Sequence, residues 1–282
     1  MTAREFLTNA AILSSVMAVA ALIEVAVPMF GRAGWTRGRR AANLGLTAVV
    51  FLLNWSLSSV VAILALALSA KPPAWASGIG VPMVAQVVVG VLILDFSAGY
   101  VAHRALHVSP TLWRFHQVHH SDDFVDVTTT YRTHPVETVW RFLFVVTPVW
   151  LFGIPALAVV IQRLVSAANG ILEHGNIRLW RPVDRALSLV WVTPNVHKMH
   201  HSRARPETNS NYGNVLTLYD RLFGTFTPSS RAETVVYGLD EADPATIGSF
   251  PGLLAMPFEG EARRSLTEKS GAGSLHTDNM PT

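Results

Sequence analysis

Ten of the 11 histidines in the chain fall between His103 and His201, and their spacing is its main chemical signal. His103 and His107 stand i, i+4. His116, His119 and His120 stand i, i+3, i+4, and His197, His200 and His201 repeat that spacing. Helical side chains three and four residues apart share a face, so each unit presents its imidazoles together. His174 stands alone, two residues before Asn176. These nine rings exceed the four ligands of a single zinc. Two metals in five- or six-coordinate sites would use them and leave positions open for oxygen or substrate. Imidazole suits iron, zinc, copper and nickel alike.

Neutral rings leave a metal's charge uncompensated, so carboxylates are expected to hold their second nitrogens. Asp95, Asp122, Asp123, Asp126 and Asp220 are near enough in sequence, and Asn176 and Asn195 are further outer partners. His134, in Arg132-Thr133-His134-Pro135, is open between a tenth ligand, an outer hydrogen-bond partner and a turn residue, the second being favoured. Tyr219-Asp220-Arg221 reads either as a cap on the site or as a structural turn. A lone histidine or one HxxxH pair is usually a packing or surface feature. Two HxxHH units and an HxxxH on one membrane face outweigh that reading.

The elements that must carry these rings are membrane helices. Of the 282 residues, 50% are hydrophobic and only 15% are charged, against about 25% in soluble domains; mean hydropathy is +0.33. A soluble enzyme or a disordered chain is therefore excluded, and a net charge of +3 gives nucleic acid no purchase. The absence of cysteine removes disulfides, thiolate zinc sites, iron–sulfur clusters and cysteine nucleophiles.

Three apolar stretches of spanning length run over 10–30, 41–70 and 72–94, with Glu24 the only charge among them. The first is too long, and its start at Arg4-Glu5 too weakly basic, for a cleaved signal peptide. A fourth stretch, 142–162, is interrupted by Pro148 and by Gly153-Ile154-Pro155. Residues 138–172 are expected to form two short helices that dip into the membrane and return, because two full crossings need about 40 residues.

Basic residues set the orientation. The loop after the first span holds Arg32, Arg37, Arg39 and Arg40, whereas the loop after the second holds only Lys71. The first loop is thus expected in the cytoplasm, together with every clustered histidine. The expected organisation is all-α and multi-pass: a transmembrane region over 1–101 with about three spans, then a histidine-motif region over 102–258. This second region includes the re-entrant hairpin and a cytoplasmic cap holding two metals. A disordered polar tail over 259–282 takes His276 out of the site.

With these motifs in order, the chain resembles the fatty acid hydroxylase superfamily, which includes the sterol desaturases. The resemblance runs from Asp95 to Phe226 and rests on DFSAGYVAHRALH (95–107), HQVHHS (116–121), RTHPVE (132–137), HGNI (174–177) and TPNVHKMHHS (193–202). It closes with NYG (211–213) and DRLFGTF (220–226). It implies a non-haem, O2-dependent oxygenase with two irons, ligated by His103, His107, His116, His119, His120, His174, His197, His200 and His201. Zinc is able to stand in for iron in purified protein.

Members hydroxylate or desaturate fatty acyl chains or sterols. The lean here is to hydroxylation of a fatty acyl or related lipid, with sterol or carotenoid oxidation as the alternative. A fused cytochrome b5 domain is not expected in this chain. Electrons would come from a separate ferredoxin, cytochrome b5 or reductase, and lipid from the bilayer of an inner membrane or endoplasmic reticulum.

A membrane metal-binding or transport protein is the non-enzymatic alternative. Transporters place their polar ligands near the midplane, whereas these histidines lie beyond the spans. A haem protein needs one or two axial histidines, and the HExxH of zinc hydrolases does not occur. The orientation is checked by a reporter fused after Ala76, which should be found outside the cytoplasm; a cytoplasmic signal there overturns it.

Overall fold

A computed structural model describes residues 3–31, 36–69, 80–240 and 242–259. Among them helices carry the whole architecture, and strand geometry is limited to two isolated bridges, Pro28–Ile177 and Trp191–Leu216. The long helices are α1 (Ala3–Ala26), α2 (Arg37–Ser69) and α3 (Met83–Val108), then α4 (Pro110–His120), α5 (Pro135–Phe152) and α6 (Ala156–His174). Two short helices follow, α7 (Arg181–Leu187) and α8 (Pro194–His200).

Four helices are long and apolar enough to cross a membrane: 37–64 of α2, all of α3, α5 and α6. The apolar part of α1, Ala10–Ala26, is shorter. The hairpin differs from its expectation in extent. Its helices run beyond 138–172, with 18 and 19 residues and only Gly153-Ile154-Pro155 between them. At 1.5 Å per residue each reaches about 28 Å, close to the hydrocarbon thickness. Gly153 makes the turn tight by taking a left-handed φ of 59°, which side chains disfavour. Either as a dip or as two crossings, the hairpin returns His174 to the side from which α5 starts.

Proline sets where the histidine helices begin. Ser109, His134 and Thr193 each accept a hydrogen bond from a backbone N–H of the first turn, and each is followed by a proline. Proline at that position presets φ and lacks an N–H that would have no helical partner. Inside α5, Pro148 has the opposite effect, because its missing N–H releases the carbonyl of Phe144. The Ser97 hydroxyl of α3 donates to that carbonyl at 2.8 Å. Ser97 lies in the π-helical stretch Asp95–Val101, which interrupts α3 just before His103.

A buried polar network fixes the end of α4 to the start of α2. Arg39 donates to both oxygens of Asp122 at 3.0 Å, to the carbonyl of Phe124 at 2.7 Å, and to Asp126. Asn43 donates to Asp122 at 3.0 Å and accepts from Arg132 at 2.7 Å. Arg132 also donates to the carbonyl of Val118 and to Ser121. From α1, Glu24 accepts from the backbone N–H groups of Val127 and Asn176.

A helix over 250–259 packs Phe250 and Leu253 against Ala42, Leu46 and Val118. A Cβ at Gly45 would come within 2.9 Å of the Phe250 ring. The expected disordered tail lies, beyond Glu259, outside the described residues, as do Arg32 and Lys71.

Arg39→Ala would leave the buried carboxylates of Asp122 and Asp126 without their guanidinium. Loss of one partner of a buried pair costs about 3–5 kcal/mol. A lower thermal transition in detergent is expected, and an unchanged transition would show that the network carries little of the stability.

Candidate metal centre

The nine rings form two groups. His103, His107, His116, His120 and His200 make one, and His119, His174, His197 and His201 the other; within each group the candidate ligand nitrogens lie within 4.8 Å of one another. Each HxxHH helix serves both groups. Its i and i+4 rings go to one and its i+3 ring to the other, and the assignment is reversed between α4 and α8. The groups abut where His120 stacks on His201, centroids 4.7 Å apart.

Hydrogen bonds to Nδ1 fix which nitrogen faces inward. Nδ1 of His103 lies 2.8 Å from the carbonyl of Tyr212, Nδ1 of His174 2.7 Å from that of Gly170, and Nδ1 of His200 2.7 Å from that of Ser210. Nδ1 of His116 lies 2.9 Å from Oε2 of Glu137. Carbonyls only accept, so these Nδ1 atoms carry the proton and Nε2 is left as a lone pair; an ionised Glu137 has the same effect on His116.

The inward nitrogens are close. Nε2 of His103 and of His116 are 3.1 Å apart, His174 to His119 is 3.0 Å, His174 to His197 is 3.0 Å, and His197 to His201 is 3.1 Å. Between His103 and His116 both facing atoms are lone pairs, with no proton to share. Two nitrogens each about 2.1 Å from one cation and at right angles would be about 3.0 Å apart. Nε2 of His200 is buried and makes no hydrogen bond among the described residues. The donor set therefore fits metal cations.

Eight of the nine rings are buried and His107 is partly so. Burial, reinforced by neighbouring rings, holds His119, His120, His197 and His201 far below the usual imidazole value, and His200 at about 3. These rings are neutral at pH 7, as ligands must be.

The outer partners are mostly not those the sequence suggested. Asp122 and Asp126 are occupied by Arg39. Asp123 is exposed, and neither it nor the buried Asp95 bonds a histidine. His134 lies in neither group; its Nδ1 caps α5 by accepting from Val136 N at 3.2 Å. Asn176 clasps the backbone of Phe30, and Asn195 that of Leu179.

Asp220 acts at one remove. It accepts from Tyr212 N and Gly213 N, both at 2.8 Å, and so holds the strand of backbone whose carbonyls bind His103 and His200. Asn211 takes a left-handed φ of 52° in this turn, and a Cβ at Gly213 would lie 2.5 Å from the Leu216 carbonyl. The Asn-Tyr-Gly sequence answers those two demands.

Three residues went unread in the sequence. Glu137 bridges His116 to Arg141, the latter at 2.9 Å; its signal was its place in RTHPVE, two residues after Pro135. Glu173 is buried, held by Asn169 at 3.0 Å, with an oxygen 3.9 Å from His197 Nε2. Lys198 is fully buried and donates to the carbonyl of His174; burial pushes its ammonium down to about 7, against the pull of Glu24, Asp126 and Glu173.

A cavity of about 760 Å³ reaches from the histidines into the helices. His103, His119, His174 and His197 front it, and α1, α2, α3, α5 and α6 wall it. Phe142 and Val145 of α5 line it, whereas Trp150 faces outward. The 186–192 stretch does not line it. Leu189 and Val190 are 63% and 60% exposed.

A helical membrane protein organised around a buried histidine cluster is the class these features define. Residues 87–225 match the fatty acid hydroxylase family, to which this chain belongs. It is 34% identical over 189 residues to the ornithine lipid hydroxylase OlsE of Rhizobium tropici, covering 67% of this chain and 55% of that protein. Alkylglycerol monooxygenase of Danio rerio is 32% identical over 145 residues, 50% of this chain and 30% of its own. Very-long-chain aldehyde decarbonylase GL1-6 of Oryza sativa subsp. japonica is 32% identical over 161 residues, 51% of this chain and 24% of its own. The chain thus spans about half the length of the first relative and less than a third of the others. No solved structure matches it significantly.

Glu137→Gln keeps the shape of the side chain and removes the charge behind His116. Such outer partners are worth about 10–100-fold in metal affinity. A chelator competition should show a loss of that size; unchanged retention of metal would remove Glu137 from the centre.

Proposed function

We propose that this chain is an O2-dependent di-iron oxygenase that hydroxylates a membrane lipid. The observation that carries the reading is that both histidine groups front one largely apolar cavity walled by the membrane helices. The five-histidine group would hold one iron and the four-histidine group the other. Two bound irons would supply the reducing equivalents and oxidising power, toward O2 and an unactivated C–H bond, that side chains lack.

The protein's own part is positional and electrostatic. The carbonyls of Gly170, Ser210 and Tyr212 and the Glu137 carboxylate hold four rings in the tautomer that presents Nε2. Burial keeps the rings neutral and excludes water from the reacting face. Val145, Phe142 and the helices around them would hold an alkyl chain against His103 and His119. Glu173, held by Asn169, places a buried carboxyl beside His174 and His197 of the four-histidine group.

The names of two relatives, a lipid hydroxylase and a monooxygenase, favour hydroxylation over desaturation. The basic start of α2, carrying Arg37, Arg39 and Arg40, supports a cytoplasmic site reached by a separate electron-donor protein.

Metal content and an absorption spectrum of the detergent-purified chain test the reading. About two irons per chain, no haem band, and an oxygenated product from lipid with O2 and a reductant are expected. His119→Ala and His200→Ala, one from each group, should each lower the content to about one metal or below and abolish turnover while membrane insertion persists. Full activity in either variant, or a haem band, removes the proposal.

A further inference from the structure

Arg163 is a cation for which the metal chemistry has no use. It lies within the apolar helix α6, eleven residues before His174, which is about 16 Å along the axis. Asn54 of α2 lies at the same depth, eleven residues past Asn43, which is bonded to the loop after α4. Nη2 of Arg163 donates to Oδ1 of Asn54 at 3.2 Å, and no carboxylate pairs with the guanidinium among the described residues. A guanidinium offers five N–H donors, and one without a counter-charge at membrane depth is costly and generally marks a binding site.

The cavity that starts at the histidines runs on toward Ala62 of α2 and Ala156 of α6, and it passes this group on the way. Asn54 and Ser58, spaced i, i+4 on α2, and Arg163 and Ser166, spaced i, i+3 on α6, line it there. Between these polar residues and the metal centre the wall carries Val50, Phe51, Val145 and Ala167. The cavity's two carboxylates, Glu137 and Glu173, are both at the histidine end and are bonded there. Tyr131, packed edge-on against Phe51 at 4.9 Å, supplies no negative charge, since burial raises its hydroxyl to about 12.

We propose that Arg163 binds the anionic end of an acyl lipid, with Asn54 orienting the guanidinium, so that one long alkyl segment lies between that end and the histidine groups. This rests on the lipid oxygenase reading for what happens at the far end of the chain, and on the cavity alone for binding. The ligand chemistry is a carboxylate or phosphate carried on a hydrocarbon chain. Arg163 is a positioning residue: it selects lipids by charge and sets how far from that charge the reacting carbon lies.

The test is equilibrium binding to the metal-loaded, detergent-solubilised full chain, with palmitate, hexadecanol and inorganic phosphate as probes. Arg163→Gln should weaken palmitate at least about tenfold, the size of hydrogen bonds to a charged partner, and leave hexadecanol unchanged. The ligand-free variant should melt at the same temperature or higher, because a half-buried cation without a counter-charge has been removed. Arg163→Lys, which keeps the charge and loses the fork, should give an intermediate loss and serves if the glutamine variant does not load metal.

Equal loss of palmitate and hexadecanol, or loss of neither, overturns the proposal. A lower melting temperature with palmitate affinity retained overturns it too, and makes Arg163 a clamp between α2 and α6. Arg163-dependent phosphate binding that leaves palmitate unaffected overturns the lipid assignment. Arg163-dependent palmitate binding without any oxygenated product supports the site and removes the oxygenase reading instead. Turnover with no charge discrimination removes the Arg163 site alone.

Discussion

Imidazole lone pairs facing one another across about 3 Å, as at His103 and His116, repel, and the fold has to hold such rings against that repulsion until a cation fills the gap. The restraint comes from behind the rings. Three backbone carbonyls and one carboxylate grip Nδ1 of His103, His174, His200 and His116. The carbonyls are themselves placed by Asp220 clamping Tyr212 and Gly213, and by the rigid last turns of α6. Arg39, Asn43 and Arg132 then lock the end of α4 to α2. Charge buried behind the cluster thus fixes the geometry within it.

The two HxxHH helices divide their rings in mirrored fashion, and this ties the two groups together mechanically. Turning α4 about its axis would move His116 and His120 in one group and His119 in the other. Neither group is able to adjust alone. The arrangement needs no sequence duplication to explain it, because any helix lying across two adjacent cation positions will present i and i+4 to one and i+3 to the other.

The histidine signal was legible because ligand spacing is local: it needs only the helical period. The eight rings singled out from spacing, together with the lone His174, lie in one or other of the two groups, and His134, left open, became a helix cap. The all-helical membrane architecture was legible from composition for the same kind of reason. The outer partners were not legible, because they are set by tertiary contact. Backbone carbonyls leave no trace in residue identity, and of the nearby aspartates that sequence favours, Asp122 and Asp126 were taken by Arg39 and Asp220 by the turn at Tyr212. The hairpin was foreshortened because its helices begin at a capping histidine and end on a candidate ligand, so their polar ends hid five further residues, a little over one turn of helix.

Pro148 and Ser97 give the fold a chronology. A helix carrying an internal proline arrives in the bilayer with one carbonyl exposed, and hydrocarbon offers nothing to bond it. Ser97 belongs to α3, which leaves the ribosome before α5 does. The earlier helix therefore already holds the hydroxyl that the later one needs, and biosynthesis from the N-terminus lets α5 dock against α3 as it inserts. Swapping the order of these two segments by circular permutation would keep every contact of the finished protein and remove that advantage, leaving the hairpin to be born with an unmet carbonyl.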